Sequence, residues 1–329
     1  MKLILMTPAP PGSKAGNRAT AERWAALLHE AGHDIDILTE YHGQAADAMI
    51  ALHAWRSHDA IMAFRQEHPK APMITVLAGT DVYRFQHSHP DETLASMAAS
   101  HVLIGLHREV AQDIPARLHD RLAIVLQSAD VPPRDLPAAR KDNRYFDVCV
   151  IGHLREEKDP LRAAYASRLL PTDSNIRILQ AGKAHNEDWS EAARCEEREN
   201  SRYQWLGELG KEATQALMIQ SDAMVISSVM EGGANVVSEA CRAGLPVIAS
   251  DIAGNRGLLG KQYPGYFAVR NDAALAHLLL RAETESDFLQ ALRRHVESEA
   301  ANFTPAMEQK ALLAALNQAF RTIGSIASP

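Results

Sequence analysis

The chain has 329 residues, 46% of them hydrophobic and 23% charged, with a formal net charge of −7. That length exceeds one small core and suits one large domain or two medium ones, and the acidic balance argues against general binding to nucleic acid or a membrane surface, a local basic pocket aside. The three cysteines, Cys149, Cys195 and Cys241, are odd in number, far apart and outside any CxxC pair, the pattern of a reduced cytoplasmic protein. No run approaches the roughly 18 apolar residues of a membrane span, and the opening "KLILMT" is strand-like rather than the apolar region of a cleaved leader.

In chain order, short apolar runs alternate with segments of helical period. "KLILMT" (2–7) precedes "NRATAERWAALLHEAGH", where Ala21, Trp24, Ala25, Leu28 and Ala31 recur at helical spacing until Gly32 stops the helix. "DIDILT", "DAMIALH", "PMITVLAG", "HVLIGL" and "LAIVLQS" follow as strands, mostly separated by helical stretches. Between 129 and 146 the rhythm breaks in "ADVPPRDLPAARKDNRYF", rich in proline and charge, and then restarts with "DVCVIGH", "IRILQAG", "RYQWLG", "DAMVISS", "LPVIAS" and a last short "YFAV". Strand–helix alternation of this kind predicts parallel sheets covered on both faces. The expected architecture is two Rossmann-like, doubly wound α/β domains, 1–135 and 147–305, joined by a linker at 136–146. A helix over 306–329 is expected to pack back on the first domain. No repeat of 20–50 residues is present.

In open α/β sheets ligands gather beyond the carboxyl ends of the strands, so the strand-end loops are where chemistry is expected. The first, "TPAPPGSKAGNR" (7–18), has Gly12 and Gly16 for close backbone approach, a helix start near Asn17, and the cations Lys14 and Arg18. Together these predict an anion site; the plain alternative is a proline-rich loop with solvated basic residues. The G-x-G-x-x-G spacing of a dinucleotide fingerprint is absent. The second loop, "GHLREEKDP" (152–160), carries Arg155 and Lys158, with Glu156 and Glu157 between them. A lysine there neutralises a phosphate as a point charge and an arginine as a fork; a solvated charge cluster reads equally well.

The third loop, "EGGANVVSE", begins at Glu231 and ends at Glu239. Gly232 and Gly233 carry no side chain, so a diphosphate can lie against backbone amides at the start of a helix near Asn235, where negative charge gains up to ~2 kcal/mol. Glu239, one turn into that helix, is placed to accept hydrogen bonds from a ribose diol, and Glu231 to reach sugar hydroxyls beyond the diphosphate. Either acid alone reads as a solvated or helix-dipole glutamate; the pair around Gly-Gly fits a nucleotide-sugar.

This arrangement resembles the GT-B glycosyltransferases, in particular the large GT4-like family with a Glu-x7-Glu motif, which "EGGANVVSE" fits in full. "IGHLREEKD" is similar to that family's Gly-Arg-Leu-x3-Lys segment: Lys158 matches, His153 stands at the arginine position, and Arg155 lies two residues on. "LAGTDVYR" (77–84) resembles its segment ending in Gly-Thr-Asp. More narrowly, "TPAPPGSKAGNR", "ALHAWRS", "GTDVYR", "GHLREEKDPLRAA", "RYQWLGEL", "EGGANVVSEA" and "YPGYF", in that order, look like the selenosugar synthases of selenoneine biosynthesis. The resemblance implies two domains facing across a cleft, with a UDP-hexose (UDP-GlcNAc or UDP-glucose) joined to selenophosphate and UDP and phosphate released. It implies a functional link to other selenoneine-pathway enzymes, and neither metal nor cofactor.

It also implies a donor site drawn from Gly12, His153, Arg155, Lys158, Glu231, Gly232, Gly233, Ala234, Asn235 and Glu239, and an acceptor site drawn from Lys14, Asn17, Arg18, His53, Arg56, Thr80 and Asp81. Lys158, Glu231, Arg18 and Asn17 would carry catalysis. Selenophosphate is already anionic and its selenium soft, so it needs cations and positioning more than the base that an alcohol requires. His53 reads as a sugar-orienting or hydrolytic residue or as a structural histidine, and Asp81 as an acceptor contact or a turn cap. The pair in "HSH" (87–89) lacks the further ligands of a metal site. A conventional transferase acting on a hydroxyl or thiol, a UDP-sugar 2-epimerase and a non-catalytic sensor are the alternatives.

Overall fold

A computed structural model describes residues 1–13, 16–133 and 144–326, without the side chains of 325 and 326. Lys14 and most of the linker expected at 136–146 lie outside the described residues. The chain forms two compact units, Met1–Ser128 with Thr304–Pro329, and Ala129–Phe303. Among the described residues no helix is long and apolar enough to cross a membrane.

The first unit is built on β1 (Lys2–Met6), β2 (Asp34–Leu38), β3 (Ala48–Leu52), β4 (Met73–Val76), β5 (Val102–Gly105) and β6 (Leu122–Ile124). They form one parallel sheet in the order β2-β1-β3-β4-β5-β6. β3, β4 and β5 are buried at every residue, as expected where helices cover both faces. The helix Gly16–Glu30 buries Ala21, Trp24, Leu27 and Leu28. It ends at Gly32, whose φ of 84° allows His33 N–H to return to the Leu28 carbonyl at 3.1 Å and Gly32 N–H to the His29 carbonyl at 2.9 Å.

The tail helix Pro305–Ile326 belongs to this unit, with Leu312, Ala315, Leu316 and Ala319 in one core with Leu3, Leu5 and Trp24. Its Glu308 is 1% exposed and accepts from Trp24 Nε1 at 2.6 Å, Arg23 Nε at 2.8 Å and Ser128 N–H at 2.9 Å.

The second unit repeats the plan with β7 (Phe146–Ile151), β8 (Ile176–Ala181), β9 (Tyr203–Trp205), β10 (Ala223–Ile226), β11 (Val247–Ser250) and β12 (Tyr266–Phe267). The order is β12-β11-β10-β7-β8-β9, again all parallel. These are the two doubly wound sheets that the strand–helix rhythm predicts. The winding reverses between β7 and β10, which opens a crevice at their carboxyl ends. Part of the motif "YPGYF" is a clasp for this sheet: the Tyr263 hydroxyl donates to the Val247 carbonyl and accepts from its N–H at 3.2 Å. Cys149 and Cys241 are packing residues, and burial pushes the Cys149 thiol up to about 12.

Candidate functional site

The β7–β10 crevice of the second unit is lined by Gly152, Lys158, Ser227, Ser228 and, from β8, Gln180. Lys158 sits at the end of a short turn after β7, and Glu231 in the loop after β10. Lys158 Nζ donates to Glu231 Oε1 at 2.5 Å, and Ser228 Oγ donates to the same oxygen at 2.5 Å. The Glu231 side chain is 9% exposed and that of Lys158 22%, so the pair is shielded from screening. Glu231 Oε2 has no protein partner among the described residues, and an ammonium has two further protons to donate. The site therefore presents one acceptor oxygen beside one cation.

The loop is held from three directions. Val229 N–H donates to the Glu157 carbonyl at 2.9 Å, and Ser227 Oγ donates to the Lys158 and Asp159 carbonyls at 3.2 and 2.8 Å. Ser250 Oγ, at the end of β11, donates to the Ser228 carbonyl at 2.6 Å, and Asn255 Nδ2 in turn holds Ser250. Gly254 lies under Glu231 so closely that a Cβ there would fall 2.3 Å from the Glu231 carbonyl oxygen.

Gly232 and Gly233 are half-buried, and neither has a positive φ, so their bareness provides space rather than an unusual turn. They lead into the helix Asn235–Ala243, whose N-cap Ala234 offers no side-chain bond to the first amides. The positive end of that helix therefore faces the Gly-Gly stretch. Glu239 sits half-buried, one turn in.

The "GHLREEKDP" loop divides its charges. Leu154 is fully buried as a plug, and Asp159 takes a φ of 43° to end the turn that carries Lys158. Arg155 turns outward: its side chain is 45% exposed and pairs with Glu157 at 3.8 Å, not with the Lys158–Glu231 cluster. The structure thus joins Lys158 to Glu231 and leaves Arg155 apart; His153 is half-buried on the same loop.

In the first unit the loop after β1 makes a turn at Pro10–Ser13, with Gly12 at φ 78°. Asn17 and Arg18 open the following helix, and Arg18 Nε donates to Glu22 at 2.6 Å, which offsets part of the charge expected to attract an anion. Arg56 is exposed. Asp81 is 0% exposed, and of its two expected roles, acceptor contact or turn cap, its hydrogen bonds are those of the turn cap. Its oxygens accept from the N–H groups of Ala54, Trp55 and Ala78 at 2.9, 3.0 and 2.9 Å. Asp81 is the fastener of the loops after β3 and β4.

His53 is likewise 3% exposed and holds an unusual φ of 78°. Its Nδ1 lies 2.7 Å from Asp81 Oδ1 and 3.3 Å from Arg56 N–H. Nδ1 cannot donate to one and accept from the other; the shorter contact to a carboxylate decides, so Nδ1–H donates to Asp81. Nε2 lies 3.1 Å from Thr80 Oγ1, a hydroxyl able to donate or accept. Asp81 begins a widened π-type turn, Asp81–Phe85, whose Phe85 stacks on Trp55 at 4.2 Å.

Ser227, Ser228, Gly254 and Gln180 were not singled out in the sequence. The serine pair directly after the buried run "DAMVI", and a glutamine inside "IRILQAG", were the available signals.

Three solved structures share this fold over nearly the whole chain. HepE from Anabaena in complex with UDP-glucose superposes with a TM-score of 0.72 at 13% identity, covering 99% of this chain and 100% of its own. A sucrose-phosphate synthase from Thermosynechococcus elongatus gives 0.79 at 14%, covering 99% and 100%. A glycosyltransferase from Rickettsia africae gives 0.72 at 12%, covering 97% and 98%. At such identities the likeness establishes the GT-B-type α/β fold. The family described as glycosyl transferases group 1 matches residues 133–302, just over half of the chain, and the chain belongs to that family.

Proposed function

We propose that the protein is a selenosugar synthase that transfers the hexosyl group of a UDP-hexose to selenophosphate. The bond from sugar C1 to the diphosphate oxygen breaks, a selenium lone pair forms the C1–Se bond, and UDP leaves. Water then cleaves the Se–P bond, which frees phosphate and the 1-seleno sugar. The observation that carries the donor half is the Lys158–Glu231 pair beside Gly232–Gly233 at the β7–β10 crevice. In this reading Lys158 and the loop amides stabilise the leaving diphosphate, Glu231 Oε2 receives sugar hydroxyls, and Glu239 receives the ribose. Family membership and the UDP-glucose complex of HepE support a UDP-sugar donor.

The acceptor half rests on the resemblance of the ordered segments and on the cations of the first unit. Arg18 and Asn17, with Arg56 and Lys14, would hold the acceptor phosphate, and Asp81 and Thr80 would act through His53 rather than touch it. Incubation with UDP-glucose or UDP-GlcNAc and selenophosphate, followed by mass spectrometry, tests the reading: UDP and a 1-seleno sugar are expected together. UDP release with a hydroxyl or thiol acceptor but not with selenophosphate would assign a conventional transferase instead, and conversion of the donor alone an epimerase.

A further inference from the structure

We propose that Gln180 is a positioning residue that binds an ordered water molecule in the β7–β10 crevice and, through it, orients Lys158. Gln180 is the penultimate residue of β8, paired in register with Val150 and with Trp205. It is 1% exposed, and neither its Nε2 nor its Oε1 has a protein partner among the described residues. A carboxamide left unpaired on both atoms inside a protein is strongly disfavoured, and such groups are met by protein or by ordered water.

The cavity that Gln180 lines with Lys158, Ser227 and Ser228 has room for about one water molecule. That volume fits solvent; the donor of the reading above would lie beside it, against Glu231 and the Gly232–Gly233 amides. Partners for such a water are at hand. The two serine hydroxyls spend their protons on the Lys158 and Asp159 carbonyls and on Glu231, and so turn lone pairs to anything else. Lys158 and Gln180 Nε2 are donors, and Gln180 Oε1 is an acceptor. A water accepting from the ammonium and the amide nitrogen, and donating its two protons to the amide oxygen and a serine oxygen, would meet both Gln180 atoms. It would hold the ammonium at the mouth of the crevice as Glu231 turns to a ligand.

The effect on nucleotide binding rests on the donor reading above, so the test has two parts. UDP is titrated into wild type, Q180M, K158A and the double variant, with melting temperature recorded for each. Q180M, isosteric and apolar, is expected to weaken UDP binding about 3- to 10-fold, without raising the melting temperature and without further effect once Lys158 is absent. A higher melting temperature with unchanged UDP affinity, or an equal penalty in the K158A background, overturns the proposal. A high-resolution crystal structure of the wild-type protein decides independently: a water about 3 Å from the Gln180 amide supports it, and no ordered solvent there ends it. Failure of wild type to bind UDP would overturn the donor reading and leave the crystal structure to decide Gln180, as it also would if Q180M does not fold.

Discussion

Lys158 and Glu231 are 73 positions apart in the chain, yet the lysine ammonium lies 2.5 Å from one carboxylate oxygen and leaves the other without a protein partner among the described residues. The contact exists because β7 and β10 are neighbours at the reversal of the sheet, so the loops that follow them rise side by side. Each partner has a separate task in the proposed reaction, and the two can be separated by substitution. Lys158→Met should weaken UDP binding about 10- to 100-fold, the worth of a hydrogen bond to a charged group. It should also destabilise the unit by up to ~3 kcal/mol, because Glu231 keeps only Ser228. Glu231→Gln should leave UDP affinity within about threefold yet lower kcat/KM for the UDP-sugar at least ~10-fold, since the loss falls on the sugar. Calorimetric UDP titration and steady-state kinetics read both; wild-type UDP affinity in Lys158→Met would remove the pair from the donor site.

Gly254 offers a test of the scaffold that leaves every polar group in place. An alanine there gains at most ~1 kcal/mol of helix propensity, but its methyl would meet the Glu231 carbonyl oxygen at 2.3 Å and Glu231 Cβ at 2.9 Å. Backbone atoms cannot swing aside as a side chain does, so overpacking wins, with a net loss of about 1–3 kcal/mol. Gly254→Ala should therefore lower urea stability and, by lifting Glu231, reduce kcat/KM more than UDP affinity. Equal stability to wild type would mean that the loop relaxes without cost.

What could be read beforehand follows a physical line. Strand–helix alternation and the Gly32 stop are local, and so both sheets and the first helix were legible. The Glu231/Glu239 spacing was legible for the same reason, since two loop ends and one helix turn fix it. Asp81 was ambiguous because its partners Ala54 and Trp55 come from another strand end, 27 and 26 positions away. Gln180, Ser250 and Gly254 were missed because their importance depends on which strands are neighbours in the second sheet, a long-range fact that no window of sequence contains. The pairing of Arg155 with Glu157, 3.8 Å apart, was not legible, because charge and position alone do not reveal which way a side chain turns.

Glu308 should be a stability hub of the first unit. Its buried carboxylate serves Arg23, Trp24 Nε1 and the Ser128 amide at once. Glu308→Ala strips the acceptor from a guanidinium, an indole and a backbone N–H, and removing one side of a buried pair costs about 3–5 kcal/mol. The lower end applies, because the Arg23 side chain is 24% exposed and can recover water. Glu308→Gln keeps one acceptor oxygen and should lose only about half as much. Urea unfolding followed by tryptophan fluorescence distinguishes them, Trp24 being a direct neighbour; matching midpoints for both variants and wild type would show that the apolar packing of the tail helix suffices.

His101 predicts a particular pH dependence. Burial, then the nearby Arg65 and Arg121 guanidinium groups, lower its pKa from 6.5 to about 4, while its Nδ1 accepts from Met73 N–H at 2.9 Å. The native state therefore prefers the neutral ring. Between 6.5 and about 4 the unfolded chain binds the extra proton and the folded one does not, so this contribution is fully present above 6.5 and is lost as pH falls through that window. The ring is only partly buried, which holds the effect to about 2 kcal/mol after allowance for screening. His101→Asn retains an acceptor for Met73 N–H but has no proton to gain. Urea stability of wild type and variant, compared at about pH 7 and about pH 4.5, should show the wild type losing roughly 1–2 kcal/mol more on acidification. Carboxylate titrations are common to both proteins and cancel in that difference; parallel curves would show that His101 reaches solvent and titrates alike in both states.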